Sequence, residues 1–344
     1  MEKKRILFVV NPISGTGRKD GIGPTIGRLL DKEKYDYDIC RSEYAGHAAE
    51  MAAGAAREGI DIVAAVGGDG TVNEVARAIV HTRTALAILP CGSGNGLARH
   101  LQIPLDTAGA LRVLNEGTVR RLDYGTINGH PFFCTCGVGF DAFVSQKFSD
   151  SGRRGPLTYV ENALTELIKY KPETYTVEDA DGATSYKAFL IACANASQYG
   201  NNAYIAPDAS MEDGLMDVTI LEPFAPIEAP QLALQLFNKT LPKNSHVKTF
   251  RTKQLCIRRE QPGVAHCDGD PFFTEADVSV ALFRQSFRAV VNTHAASRRN
   301  SLLQFFSEFS NEWSQLPSEW LRRSNEDIRR MNRNLRDRLL KKGE

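Results

Sequence analysis

Short apolar runs alternate with helix-like patterns over the first part of the chain. Residues 6–10, 60–66 and 86–89 are apolar runs of strand length. Residues with the spacing of one helix face follow the second run, namely Val72, Val75, Ala76 and Ile79. Alternation of strands and helices is typical of an α/β layer with a largely parallel sheet. Residues 1–125 are therefore predicted to form an α/β domain.

Hairpin patterns replace this alternation in the second part of the chain. Asn128-Gly129 lies between strand-like runs at 121–127 and 131–137, and Asp181-Gly182 lies between runs at 174–178 and 186–194. Such dipeptides favour two-residue hairpin turns, because their residues adopt positive φ. Further strand patterns occur at 216–221, 247–258, 264–267, 277–283 and 287–291, and helix patterns at 157–170 and 226–241. Residues 126–293 are predicted to form an antiparallel β-sandwich or barrel.

A third pattern begins near residue 296, and residues 294–344 are predicted to form an amphipathic helical extension. Apolar residues recur there at three- and four-residue spacing before and after Pro317, with arginines beside the second set. One interpretation is that the apolar stripe packs on the protein itself or on a second copy, which would form a homodimer. The alternative is docking on an anionic membrane surface, where each basic residue contributes on the order of 1 kcal/mol.

The charge, the cysteines and the first apolar run of the chain bear on its binding partners and its location. The chain has 344 residues, and 42 basic and 41 acidic side chains leave a net charge of +1, so nothing favours binding to nucleic acid. Seven cysteines without a Cys-x-x-Cys pair predict reduced, buried thiols. The first apolar run is too short for a signal peptide or a membrane span. We expect a cytoplasmic protein, with the inner face of the membrane as a site of peripheral contact.

The stretch Gly67-Gly68-Asp69-Gly70-Thr71 follows an apolar strand and precedes a helix pattern. Glycines let the backbone approach a phosphate closely, and the first N–H groups of a helix are free to bind an anion. Asp69 is repelled by phosphates unless Mg²⁺ or a substrate proton lies between them. The alternative is a βα turn in which these residues only shape the backbone.

Two more glycine-rich loops, residues 11–19 and 90–98, also follow apolar strands. Ligands of open α/β sheets bind at the carboxyl ends of the strands, so the three loops are predicted to converge on one site. The spacings of a Walker A loop and of a dinucleotide-binding Gly-x-Gly-x-x-Gly loop are absent from these positions. A standard P-loop ATPase and a dinucleotide oxidoreductase are therefore disfavoured.

Ordered motifs across residues 4–293 resemble the diacylglycerol kinase catalytic-domain family, which contains soluble bacterial lipid kinases and sphingosine and ceramide kinases. The motifs lie at residues 11–15, 67–74, 90–99, 137–142, 199–200, 205–207 and 213–218. The resemblance implies a Rossmann-like, three-layer first domain similar to phosphofructokinases, a β-sandwich second domain, and ATP bound in the cleft between them. It implies a kinase that acts on a lipid hydroxyl.

The resemblance also assigns site residues by position. Those expected around ATP are Asn11, Ser14, Gly15, Arg18, Ser42, Gly67, Gly68, Asp69, Gly70, Thr71, Asn73, Ser93, Gly94 and Asn95. A structural Mg²⁺ is expected on the Asp213 carboxylate and on the backbone carbonyls of Ser210 and Leu215, since oxygen ligands suit this ion.

The catalytic residues implied are Asp69, Asp268 and Asp270. Asp268-Gly269-Asp270 stands where the family normally has Asp-Gly-Glu, so either aspartate is a candidate acceptor for the hydroxyl proton. Asp69 is expected to arrange Mg²⁺ and phosphates. Without the resemblance, Asp-Gly between two strand patterns is simply a hairpin turn.

The acceptor lipid stays open between two classes. Diacylglycerol, which would give phosphatidic acid, is favoured by the Gly67-Gly68 and Asp213-Gly214-Leu215 motifs, which look bacterial. A sphingoid base is the alternative, since Gly92-Ser93-Gly94-Asn95 is closer to the sphingosine-kinase form. Remoter alternatives are an NAD kinase and a nucleotide or lipid sensor that has lost its chemistry.

Overall fold

The computed structural model describes residues 3–14, 21–151 and 170–293, with the side chains of 148–151 outside the description. Gly15 and Arg18, most of the helix predicted at 157–170, and the predicted helical extension at 294–344 lie outside the described residues.

A parallel four-stranded segment opens the fold. Its strands lie in the order β2-β1-β3-β4. They are β1 (Lys4–Val10), β2 (Tyr35–Arg41), β3 (Ile62–Gly67) and β4 (Ala85–Pro90). Every residue of β3 and β4 is buried. A parallel strand covered on both faces needs such a continuous apolar run, which is the pattern that predicted it.

Five helices accompany this segment. They are α1 (Ile22–Leu29), α2 (His47–Arg57), α3 (Asp69–Ile79), α4 (Gly96–His100) and α5 (Thr107–Glu116). Helix α1 contacts α5, whereas α2 contacts α3. Helix α3 buries Val72, Val75, Ala76 and Ile79, so its apolar face is the predicted one. The predicted α/β architecture of the first part is confirmed.

Antiparallel strands form the second part. A six-stranded sheet has the order β12-β11-β10-β7-β14-β15. The strands from β5 onward are β5 (Thr118–Ile127), β6 (His130–Phe132), β7 (Thr135–Gly139), β8 (Glu173–Asp179), β9 (Gly182–Ala188), β10 (Leu190–Ala194), β11 (Met216–Leu221), β12 (Val247–Thr252), β13 (Gln254–Arg259), β14 (Gly263–Cys267), β15 (Asp270–Thr274) and β16 (Asp277–Val291). Helices α6 (Phe140–Ser151) and α7 (Ala229–Phe237) accompany them. The predicted antiparallel sandwich is confirmed.

Buried residues from both sheets form one apolar cluster in the sandwich. Ile127, Leu255 and Val280 come from the larger sheet, and Cys136 and Val218 from the six-stranded one. All seven cysteines are unpaired thiols, as predicted, but only three of them are buried, whereas Cys40 is exposed. The Asn128-Gly129 turn has φ values of 46° and 82°. Positive φ at both positions is the geometry of the predicted hairpin.

Strand β16 joins the two parts in a way that the pattern did not predict. Two strands were expected at 277–283 and 287–291, but β16 is a single strand with a register shift between Phe283 and Phe287. Its first half pairs with β13, and Arg288 and Ala289 pair in parallel with β4. The larger sheet therefore extends from the parallel segment into the sandwich.

The chain also changes sheets where one strand was predicted at 247–258. Strand β12 pairs with β11 in the smaller sheet, while β13 pairs with β16 in the larger one. Lys253 lies at the change, and its carbonyl accepts the Leu282 N–H at 2.8 Å. Within the described ranges, no helix has the length and apolarity needed to cross a bilayer.

Candidate active site

Asp69 joins two of the glycine loops. It is the first residue of α3, and its carboxylate accepts the Asn95 N–H at 2.8 Å and the Gly96 N–H at 2.7 Å. Burial raises the pKa of Asp69, and these two N–H groups oppose the shift. An acid at the start of α4 also interacts favourably with the helix dipole. Asp69 therefore fixes the loop at 67–71 against the loop at 90–96.

Small residues are required where these loops touch. A Cβ on Gly92 would lie 2.6 Å from the Gly68 Cα, and one on Gly94 would lie 2.7 Å from Asp69 Oδ2. Asn95, with φ of 49°, binds the Gly92 backbone through both ends of its amide, at 3.0 and 2.6 Å. The loop at 90–96 therefore presents backbone rather than side chain to its neighbour, as a phosphate site needs.

The predicted residues of the first loop lie beside the second. Asn11 Nδ2 donates to Thr71 Oγ1 at 3.0 Å, and Ser14 Oγ donates to the Asn11 carbonyl at 3.2 Å. Buried Ser42 donates its N–H to the Val10 carbonyl at 2.9 Å. These residues all lie at the carboxyl ends of β1, β2 and β3. The described parts of the predicted loops thus converge at one edge of the sheet.

Asp268 anchors the turn between β14 and β15, here called the acidic turn (residues 268–270). Its carboxylate accepts N–H groups of Phe133 at 2.8 Å, Cys134 at 2.7 Å and Thr135 at 3.0 Å. A fourth donor, Asn73 Nδ2 on α3, lies 2.8 Å away. Burial raises the pKa of Asp268, opposed by these hydrogen bonds. The fourth bond links the acidic turn to the helix that begins at the glycine loop.

Asp270 differs from Asp268 in its surroundings. It is exposed at the start of β15, and no hydrogen bond to its carboxylate comes from the part of the chain that the structure describes. Desolvation raises the pKa of Asp270; the Arg77 guanidinium opposes the shift, and the Asp69 and Glu74 carboxylates reinforce it. Asp270 is therefore a carboxylate with free acceptor capacity that faces charges on α3.

Arg77 was not predicted as a site residue. It is exposed on α3, four residues after Asn73, so both side chains lie on the same helix face. The i, i+4 spacing of Asn73 and Arg77 was the available signal in the sequence. What the sequence lacked was any indication that this face is turned toward residues 268–270.

A buried polar cluster of His266, Asp141 and Tyr199 lies next to the acidic turn. His266, on β14, is 1% exposed, and its Nε2 lies 3.0 Å from Asp141 Oδ2 at the start of α6. Tyr199 donates its hydroxyl to the same oxygen at 3.1 Å. A Cβ on Gly96 would lie 3.1 Å from the Tyr199 carbonyl oxygen, so this residue also touches the glycine loop. The cluster connects the strand before Asp268 with the loop fixed by Asp69.

Asp213, Ser210 and Leu215 lie apart from these loops. Asp213 Oδ1 accepts the Leu215 N–H at 3.0 Å, and its other oxygen is paired with the Arg251 guanidinium. Fully buried Asp123 accepts the Gly214 N–H at 2.7 Å and the Gln285 N–H at 2.6 Å. Among the described residues, no group of three His, Cys, Asp or Glu side chains is placed to hold a metal. In this arrangement the Asp213 carboxylate does not suit a bound Mg²⁺, because the Arg251 guanidinium already contacts it. The Ser210 and Leu215 carbonyls stay predicted ligands.

Asp123 was also missed by sequence reasoning. It is a lone acid in the otherwise apolar end of β5, and that isolation was its only signal. Its two N–H donors fix the Asp213-Gly214 turn and the irregular part of β16 around Gln285, where φ is 51°. A buried carboxylate is tolerated there because it is hydrogen-bonded.

His100 should make the free energy of unfolding depend on pH. It ends α4, and its Nδ1 accepts the Ser197 N–H at 3.1 Å. Burial lowers the pKa of His100 to about 4. Between about pH 6.5 and 4 the unfolded chain binds a proton that the folded chain does not, so stability falls as pH falls. At about 1.4 kcal/mol for each pKa unit, we expect a loss of at most about 3 kcal/mol from this residue.

Urea unfolding at pH 7 and pH 4.5 measures this contribution. In His100→Asn, whose amide oxygen replaces the ring nitrogen as acceptor, the difference in unfolding free energy between the two pH values should shrink. An unchanged difference would contradict the assignment. His47, a half-buried histidine at the start of α2, supplies the control His47→Asn.

Comparisons with known proteins agree with this geometry. The family model "Diacylglycerol kinase catalytic domain" matches residues 5–127, and "YegS C-terminal NAD kinase beta sandwich-like domain" matches 134–283. A Chromohalobacter salexigens protein named "Probable lipid kinase YegS-like" is 32% identical over 238 residues, covering 67% of this chain and 76% of the relative. A Staphylococcus saprophyticus "Diacylglycerol kinase" is 28% identical, covering 64% and 73%.

Solved structures show the same fold. A crystal structure described as a diacylglycerol kinase from Bacillus anthracis superposes with a TM-score of 0.68 at 19% identity, covering 86% of this chain and all of that chain. This likeness shows the fold, and the two family models with the 32% identical relative establish the family. The chain belongs to the lipid kinase family that is defined by the diacylglycerol kinase catalytic domain.

Proposed function

We propose that this protein transfers the γ-phosphoryl group of ATP to a hydroxyl of a membrane lipid, with diacylglycerol as the acceptor. The observation that supports this most is the hydrogen bond between Asn73 and Asp268. It brings the helix that starts at a glycine loop to a turn that carries two carboxylates. Phosphoryl transfer requires that the phosphate site and the acceptor of the hydroxyl proton lie close together.

The start of α3 is the proposed phosphate site. Helix α3 has no side chain that caps its N-terminus. Asp69 instead turns its carboxylate to the N–H groups of α4, which leaves the N-terminal end of α3 available to an anion. The MgATP substrate supplies the transferred phosphoryl group and a cation that offsets its charge. The chain supplies backbone N–H groups and the close approach that Gly68 and Gly92 allow.

Asp270 is the proposed proton acceptor, and Asp268 positions it. Both oxygens of Asp268 are occupied by the four donors described above. The Asp270 carboxylate keeps its lone pairs, and its raised pKa makes it a better base than an ordinary aspartate. The lipid oxygen gives its proton to Asp270 and bonds to the γ-phosphorus, while the bond from that phosphorus to the bridging oxygen breaks and ADP leaves.

A lipid panel tests the proposal. We expect the purified full chain, incubated with γ-labelled ATP and Mg²⁺, to label diacylglycerol in mixed micelles more than monoacylglycerol, sphinganine or ceramide on thin-layer chromatography. Asp270→Asn serves as the control for a contaminating kinase. Labelling of sphinganine instead would favour the sphingoid-base alternative, to which the Gly92-Ser93-Gly94-Asn95 loop points. Labelling of NAD, or ATP binding without any turnover, would overturn the lipid kinase proposal.

A further inference from the structure

We propose that Arg251 serves as a built-in counter-ion for the Asp213-Gly214-Leu215 turn, so that this turn folds without a bound metal ion. The Arg251 guanidinium contacts one carboxylate oxygen of Asp213 through Nη2. Its Nε lies 3.6 Å from Asp217 Oδ2. One cationic side chain thus lies beside two carboxylates, of which Asp213 is the predicted metal ligand.

The sheet register places Arg251 at this position. Strands β11 and β12 are antiparallel, and Asp217 and Arg251 are direct partners in their register. Directly opposite residues on one face of such a pair lie close enough for their side chains to interact. Asp213 comes four residues before Asp217, at the start of the turn that leads into β11. Strand pairing therefore accounts for the position of Arg251 beside Asp217.

The other contacts of the turn are also made with groups of the chain itself. Asp213 Oδ1 accepts the Leu215 N–H at 3.0 Å, and the Gly214 N–H goes to buried Asp123 at 2.7 Å. A Mg²⁺ ion requires near-octahedral oxygen ligands at about 2.0 to 2.1 Å. A guanidinium makes planar, forked hydrogen bonds to carboxylates and keeps its charge at any ordinary pH. The Asp213 carboxylate is thus hydrogen-bonded and paired with a cation of the chain itself, whereas the buried Oδ2 of Asp217 has no hydrogen-bond partner among the described residues.

The side chains of Arg251, Asp213 and Asp217 are only partly exposed, so their ion contacts should contribute measurably to stability. The exposed fractions are 44% for Arg251, 33% for Asp213 and 18% for Asp217. A comparable arginine that also contacts two acids lies on β13 and provides a control. Arg258, on β13, is 50% exposed and lies 2.7 Å from Glu178 and 3.7 Å from Asp277. Arg258→Gln therefore removes an arginine between two acids without touching the turn.

Thermal melting of the full chain without nucleotide tests the proposal. The wild type should melt at the same temperature in EDTA and in millimolar Mg²⁺ at constant ionic strength. Arg251→Gln should lower the melting temperature in EDTA by about 2 to 4 °C, and by more than Arg258→Gln does. In the Arg251→Gln variant the Asp213 and Asp217 carboxylates no longer contact a guanidinium, so Mg²⁺ should bind to them. The variant should therefore melt at a higher temperature in Mg²⁺ than in EDTA. Arg251→Lys, which keeps the charge, should stay insensitive to Mg²⁺.

Two results would overturn the proposal. One is a wild-type chain that retains one equivalent of Mg²⁺ through gel filtration, by elemental analysis, and melts at a lower temperature after EDTA. The other is an Arg251→Gln chain that melts like the wild type and ignores Mg²⁺. The first measurement needs no variant, so it decides the question even if Arg251→Gln does not fold. None of these readouts depends on kinase activity, so they are independent of the proposed substrate.

Discussion

Asp270→Asn lowers kcat for lipid phosphorylation by about 10²- to 10⁴-fold and leaves the folded structure intact. The size of this loss is that of a missing general base. Stability should change little, because Asp270 is exposed and no described residue hydrogen-bonds to its carboxylate. Initial rates with labelled ATP measure kcat, and urea unfolding measures the free energy of unfolding. Glu275→Gln, which removes another exposed acid just after β15, is the matched control and should keep full activity.

The pH dependence of kcat gives a second readout for Asp270. The base must be ionised, so the rate falls on the acid side as Asp270 becomes protonated. Its raised pKa places that fall at higher pH than an ordinary aspartate would. Asp270→Glu, which introduces the residue usual in the family, should retain the acid limb and substantial activity. Full activity of Asp270→Asn would show that another group accepts the proton.

Asp268→Ala is expected to reduce stability and activity together. The carboxylate accepts three backbone N–H groups and the Asn73 amide, and its removal leaves four donors without an acceptor. Buried donors that lose their partner cost about 1 to 3 kcal/mol each, and partial hydration reduces the sum. We expect a loss of about 3 to 5 kcal/mol in the free energy of unfolding, measured by urea titration, and kcat near background.

Asn73→Ala tests the same contact from the other side. It removes one donor and leaves the three backbone bonds to Asp268, so we expect a loss of about 1 kcal/mol in stability. Its kcat should fall more than this small destabilisation explains, since the link between α3 and the acidic turn is lost. An Asp268→Ala chain that keeps wild-type stability but loses all activity would reverse the roles proposed for Asp268 and Asp270.

The resemblance left Asp268 and Asp270 as equal candidates for the proton acceptor and gave Asp69 the placing of Mg²⁺ and phosphates, and the three residues differ in their hydrogen bonds. Asp69 and Asp268 each hold backbone N–H groups of another segment. Only Asp270 is without such donors among the described residues. The three residues have the same side chain, so no property of the residue type distinguishes them. The distinction lies in which N–H groups the fold brings within 3 Å.

Local sequence determined the elements and the chemistry that they carry. Continuous apolar runs predicted β3 and β4, and Asn128-Gly129 predicted a hairpin, because burial and positive φ are properties of a few neighbouring residues. The order of the motifs predicted the fold class, and the glycine loops predicted a phosphate site. Even the acid-rich turn at 268–270 was visible in the chain.

Tertiary structure decided which of these residues touch. Asn73 and Asp268 are separated by 195 positions, and Asp213 and Arg251 by 38. Their contacts depend on strand order and register, which arise from the packing of the whole sheet rather than from local pattern. For the same reason β16 forms one strand where two were predicted. The sequence alone thus determined the kinds of groups at the candidate site, and the fold determined which carboxylates are bound by backbone N–H groups.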